Sequence, residues 1–267
     1  MYFIYNPFPD NHFFFVECLK LYYQSKSIHI QEISVINNND KDELNTYFIL
    51  INHMYFIENK EAKQDLHFIK HKKNKILYIT EPIELLIEKQ YYQKLISNLK
   101  PQTIYSYCEE NRNKIKTFIP IDIFYPINKE YLTFTSFNTQ LFNKRIKDKI
   151  VFIGKINDYR NRLKDIFQDD LVIIENKYKK DEWLTILNTY QFYVNVHRRP
   201  NSKCFEAFRC IPLLMNGGII LSEHVNEEDE KKYKNTNIYF CKLEEMKTLF
   251  NSIKLNNSFG TIFEKIL

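Results

Sequence analysis

From residue 149 onward, short apolar runs alternate with segments whose apolar positions recur every three or four residues. KIVFIG (149–154), LVIIE, FYVNVH, GIILSE and NIYFCK read as strands. DYRNRLKDIF, KDEWLTILNTY, SKCFEAFRCI, NEEDEKKY and LEEMKTLFNSI read as helices between and after them. In KDEWLTILNTY the residues Trp183, Leu184 and Leu187 fall on one side. Strands that are continuously apolar and β-branched are covered on both faces, which is the signature of a parallel sheet in a doubly wound α/β domain.

The first half follows the same grammar. MYFIY, IHIQEISVI, TYFILI, KILYIT and TIYSYC read as strands, and NHFFFVECLKLYYQ as a helix. PIELLIEKQYYQKLISNL reads as a second helix, with Pro82 at a plausible first position. The polar, basic segment 138–149 is the expected linker. The pattern therefore predicts two Rossmann-like, doubly wound domains, 1–140 and 141–257, facing each other across a cleft between the carboxyl ends of their strands. The terminal SFGTIFEKIL (258–267) has the apolar pattern of a helix that packs back on the first domain. In such folds the crevice at the carboxyl ends of the strands is where ligands bind.

Composition narrows the classes. At 267 residues, 44% of them hydrophobic, the chain can fill two cores. Its net charge of +5 is spread along the chain and forms no nucleic-acid stripe. The five cysteines are an odd, scattered set without metal-ligand spacing, so a reducing, cytoplasmic setting is expected. The opening MYFIYNPFPD is not read as a secretory signal, and no window approaches a membrane span. Gly-x-Ser-x-Gly, Gly-x-Gly-x-x-Gly and the phosphate-binding loop ending in Gly-Lys-Ser/Thr are lacking, which counts against hydrolase, dehydrogenase and ATPase readings, and QDD (168–170) precedes its strand, whereas a metal-dependent transferase carries Asp-x-Asp after one.

The chain holds only four glycines, and Gly217 and Gly218 are adjacent. They follow a helical segment and precede a strand, so a helix C-cap with a tight turn is the first expectation. Gly154 ends a strand and opens a loop, where glycine lets backbone approach a ligand. His197, Arg198 and Arg199 close the strand FYVNVH before a helix expected to begin near Ser202, a suitable place for a diphosphate. A solvated basic loop is the competing reading. Arg160 and Lys164 follow Gly154 as further cations, and Arg209 stands one turn after Glu206, as a pairing partner or an anion ligand. Pro212 is expected to kink or end its helix.

VFIGKINDYRNRL followed by FYVNVHRRPNSKCFEAFRCIPLLMNGGIILSE resembles the nucleotide-sugar domain of GT-B glycosyltransferases. ILYITEP, TIYSYCEEN and FIPIDIFYP resemble the later part of the acceptor domain in small members of that superfamily. The resemblance implies a metal-independent transfer from a nucleotide-diphosphate sugar to a hydroxyl of a glycan, lipid or protein-linked acceptor, with no cofactor. It assigns Glu206 to the ribose hydroxyls and extends the donor site to Gly217 and Gly218. Many retaining members carry Glu-x7-Glu, and here the first position is Arg198, which favours inversion. An inverting enzyme needs a base in the loop after the first strand, where Asp10 and His12 are the candidates, with Glu81 a third. Asp10 is also a candidate helix N-cap and His12 a candidate surface residue.

Two other readings compete. One is a non-catalytic nucleotide-sugar-binding scaffold of the same fold. The other, a nucleic-acid-binding protein using KHKKNK (70–75) and the aromatic residues, ranks behind it because such a run is ordinarily a solvated loop.

Overall fold

The computed structural model describes residues 2–6, 9–34, 45–51, 66–115, 121–123, 144–175 and 179–256. The chain divides into two compact units, Met1–Ile127 and Asn128–Leu267. The junction between them, the expected boundary at 140/141 and the segment 258–267 lie outside the described residues.

The first unit is built on six parallel strands in the order β2-β1-β3-β4-β5-β6. They are β1 (Tyr2–Tyr5), β2 (Ile30–Ile33), β3 (Thr46–Ile51), β4 (Asn74–Ile79), β5 (Thr103–Ser106) and β6 (Ile121–Ile123). Its helices include α1 (Pro9–Gln24), α2 (Leu86–Leu99) and α3 (Glu109–Lys114), and residues 66–70 are also helical. Tyr5, Tyr47, Ile49, Leu77, Ile79 and Ile104 from the strands form one core with Tyr92, Leu95, Ile96 and Leu99 of α2. On the other face of the sheet, the Phe15 ring of α1 lies 4.5 Å from that of Tyr78, which alternates with Leu77 and Ile79 along β4. Helix α2 begins at Leu86, not at Pro82. The Glu88 carboxylate accepts from the amides of Glu84 and Leu85 at 2.7 and 2.8 Å, and this satisfaction of free N-terminal donors sets the helix start. Within KHKKNK, Lys75 is buried and its ammonium donates to the carbonyls of Lys70 and Lys72, so part of the run is tied into a turn.

The second unit has five parallel strands in the order β11-β10-β9-β7-β8. They are β7 (Ile146–Ile153), β8 (Leu171–Ile174), β9 (Tyr190–Asn195), β10 (Ile219–Glu223) and β11 (Ile238–Cys241). Helices α4 (Asp158–Phe167), α5 (Lys180–Thr189), α6 (Ala207–Met215), α7 (Glu227–Tyr233) and α8 (Met246–Asn256) connect and follow them. Ile150, Phe152, Phe192, Val194, Ile219 and Leu221 share a core with Leu163 and Phe167 of α4 and Met246, Phe250 and Ile253 of α8. In both sheets the second strand pairs on one side of the first and the third strand on the other. That reversal makes each unit doubly wound and opens a switch point at β1/β3 and at β7/β9. No helix among the described residues is long and apolar enough to cross a membrane.

Three expected boundaries move. The expected linker runs into structure at Ile146, because Ile146–Lys149 is the exposed amino end of β7, where charged side chains remain in water. Helix α6 starts at Ala207, not near Ser202, since Cys204 and Phe205 are buried first, with Phe205 stacked on Tyr233 at 4.4 Å. Nor does Pro212 end α6, which continues to Met215.

The C-terminus of α6 explains the paired glycines. Gly217 N–H donates to Leu214 O and Gly218 N–H to Leu213 O, at 2.9 and 2.8 Å, with Gly217 at φ +72°. This is a Schellman cap, with the left-handed residue supplied by glycine. A Cβ on Gly218 would stand 2.8 Å from both Leu213 O and the Tyr193 ring. Gly217→Ala is expected to lose roughly 1 kcal/mol from the left-handed backbone. Gly218→Ala should lose more, about 2 kcal/mol, because backbone and a buried ring must both move. Urea midpoints at unchanged slope measure both, and equal losses would contradict the crowding at Gly218.

Candidate functional site

At the switch point of the second sheet, the loops leaving β7 and β9 diverge, so their carbonyls lack ladder partners. One buried guanidinium serves both loops. Arg160, in the first turn of α4, donates from Nε to Val196 O and His197 O at 3.0 and 3.1 Å, and from Nη1 to Lys155 O at 3.1 Å. The side chain of Asn157 caps α4 by accepting from Arg160 N, and its Nδ2 donates across to Arg198 O at 2.6 Å.

A second guanidinium, that of Arg209 in the first turn of α6, donates from Nη1 to Asn195 Oδ1 at 3.0 Å. Both guanidinium carbons lie over the Phe152 ring, 5.2 and 5.4 Å from its centroid. Both cations face one carboxylate. Glu206 immediately precedes α6, its side chain making no capping bond, and sits 3.5 Å from Arg160 Nη2 and 3.7 Å from Arg209 Nη2, 18% exposed. Burial alone would raise its pKa. Arg209, then Arg160, His197 and Arg198 outweigh that, and its pKa lies below the ordinary carboxylate value. Glu206 is therefore an ionised acceptor at neutral pH.

Gly154 makes room for this arrangement. Its φ is +141°, a conformation that side chains disfavour, and a Cβ there would stand 3.1 Å from Arg209 Nη2. At the far side of the cluster, Glu223 accepts from His197 N–H at 2.7 Å and from the Tyr159 hydroxyl. His197 itself is buried, and its Nε2 donates to His224 O at 3.0 Å.

The structure thus brings together Gly154, Arg160, His197, Glu206 and Arg209. Lys164 is not among them, since it lies exposed toward the end of α4. Arg198 is exposed and Arg199 half-buried on the loop after β9. That loop does not lead into a helix N-terminus near Ser202, because α6 begins only after Glu206. Gly217 and Gly218 precede β10 and so sit at the amino end of the strands, opposite the cluster, where they form the helix cap. Asn195, Asn157, Tyr159 and Phe152 were not singled out from the sequence. The available signal was position, since Asn195 is a polar residue at the end of a buried strand and Asn157 precedes a helix.

In the first unit the carboxyl end of β1 carries Asn6, whose Nδ2 donates to Glu32 Oε1 at 2.9 Å. Its Oδ1 therefore faces His12 Nδ1, 3.1 Å away, and accepts that proton. Glu32 also accepts from Lys20 at 3.1 Å. His12 is buried, not a surface residue, and burial lowers its pKa to about 4, which leaves it neutral near pH 7. Asp10 lies within the first turn of α1 and not at an N-cap; its side chain is outside the described part. Glu81 follows β4 and its carbonyl accepts from Asn111.

No family model matches this chain, and no curated protein matches its sequence.

The depressed pKa of Glu206 fixes the sign of a stability effect. Its contribution is full above the unfolded carboxylate value of about 4.3 and is lost as pH falls through the lower folded value. Glu206→Gln is expected to cost roughly 2 kcal/mol at pH 7, less than the 3–5 of a fully buried pair because the side chain is partly exposed. The gap between variant and parent should close below pH 4. Urea melts of both proteins across pH 3 to 8 check this, and a gap independent of pH would contradict it.

Proposed function

We propose that the second unit binds a nucleotide-diphosphate sugar at the β7/β9 switch point and that the protein is a glycosyltransferase. The observation that carries this reading is the cluster of two guanidinium groups and one ionised carboxylate around the open Gly154 turn. Arginine suits phosphate oxygens, and a carboxylate suits the vicinal hydroxyls of a ribose. Arg209 meets the diphosphate, Arg198 and Arg199 add charge from the exposed loop, and Glu206 accepts from the sugar hydroxyls of the nucleoside. The two doubly wound units are read as the halves of a GT-B arrangement, the first supplying the acceptor site.

In this reading the transfer inverts. The acceptor oxygen attacks the anomeric carbon and forms the glycosidic bond, while the carbon–oxygen bond to the diphosphate breaks and its electrons leave with the diphosphate. His12 takes the acceptor proton. Its neutral ring is available for that at pH 7, and its Nδ1–H bond to Asn6 directs the lone pair to Nε2. Arg198 at the position where retaining members carry glutamate is consistent with the same outcome.

A thermal-shift panel of UDP, GDP, CDP and dTDP, with and without EDTA, tests the reading. One nucleotide should raise the melting temperature by a few degrees irrespective of EDTA, and Glu206→Ala should remove most of that shift. His12→Ala should leave the shift intact while lowering turnover by about 10² to 10⁴. The absence of a shift with every nucleotide at millimolar concentration would sink the proposal.

A further inference from the structure

Asn195 and Ser222 are polar residues buried side by side at the carboxyl ends of two strands. They are register partners on β9 and β10, 1% and 0% exposed, and follow Val194 and Leu221. A buried amide and hydroxyl are costly unless every group is bonded. Proton bookkeeping gives the chain one direction. Ser222 Oγ–H donates to Glu223 O at 2.9 Å, so its lone pair accepts from Asn195 Nδ2 at 3.0 Å. That turns Asn195 Oδ1 outward to accept from Arg209 Nη1. The chain ends on a cation whose other amino group, Nη2, lies 3.7 Å from Glu206, beyond hydrogen-bond length. The same Nη2 borders the space that the missing Cβ of Gly154 leaves clear.

We infer that Asn195 and Ser222 are positioning residues that set the Arg209 guanidinium to meet a phosphate oxygen at the Gly154 turn. The ligand class rests on the nucleotide-diphosphate reading above; the positioning does not. A buried amide orients the cation before the ligand arrives, so less rotational freedom is lost on binding.

Two measurements on the full chain separate the parts. In the ligand-free protein, nitrogen-15 spectra of the arginine side chains, with Arg209 identified by its loss in Arg209→Lys, should show slow rotation about the bond to Nη1. Asn195→Ala should make that rotation fast, and an unchanged signal would overturn the positioning role. Calorimetry with inorganic pyrophosphate then reads the consequence. Asn195→Ala should raise Kd about tenfold, as for one charge-assisted bond, and Arg209→Ala at least as much. The double variant should be no weaker than Arg209→Ala alone, because one residue acts through the other, whereas additive losses would overturn the inference. If Asn195→Ala does not fold, Ser222→Ala serves instead. It leaves every bond of Arg209 in place, and a roughly threefold rise in Kd with faster rotation is expected, against no change in either. A parent protein that binds neither pyrophosphate nor any nucleotide of the panel would overturn the ligand class together with the proposed function, while the spectra would still decide the positioning.

Discussion

The second unit depends on one buried cation. A doubly wound sheet opens where its connections reverse, and the carbonyls at that opening have no neighbouring strand to bond. Arg160 supplies donors to the loop after β7 and to the loop after β9 from a single side chain. A guanidinium so placed needs a countercharge, and Glu206 provides it from the start of α6. The position of Glu206 is thus fixed by an ion pair as much as by any ligand. A second cation, Arg209, then faces the same carboxylate, so Glu206 is held between two guanidinium groups.

Most strands were legible in the sequence because parallel strands covered on both faces read as short apolar runs, whereas β6 was not read as one. The start of α6 was not legible. SKCFEAFRCI has helical spacing throughout, but burial of Cys204 and Phe205 against α7 holds that stretch out of the helix, and no periodicity records a contact made with a later element. The charged members of the cluster were legible, since Glu206 and Arg209 stand out against apolar neighbours and Arg160 follows the Gly154 turn. Asn195 and Phe152 were not. Each lies in a strand where the pattern assigns it to the sheet, and its second role comes only from what the fold brings beside it.

Glycine in this glycine-poor chain marks backbone need in each described case, but the need differs. Gly217 and Gly218 close a helix against the amino end of the sheet, and their φ and close contacts are explained by Leu213, Leu214 and Tyr193. Gly154 has no cap to make. Its φ and its contact with Arg209 are features of the carboxyl end, where a side chain would displace a cation. The paired glycines cap a helix, and Gly154 stands beside the guanidinium cluster.

The two units share a strand order and differ in what that order places at its switch point. In the second, guanidinium groups and an ionised carboxylate surround a turn without a side chain. In the first, Asn6 stands between His12 and a carboxylate, which fixes the ring proton on Nδ1, and burial keeps the ring neutral. The proposed transfer asks for both features: a cationic cluster for a leaving diphosphate and a neutral, oriented ring for a hydroxyl proton.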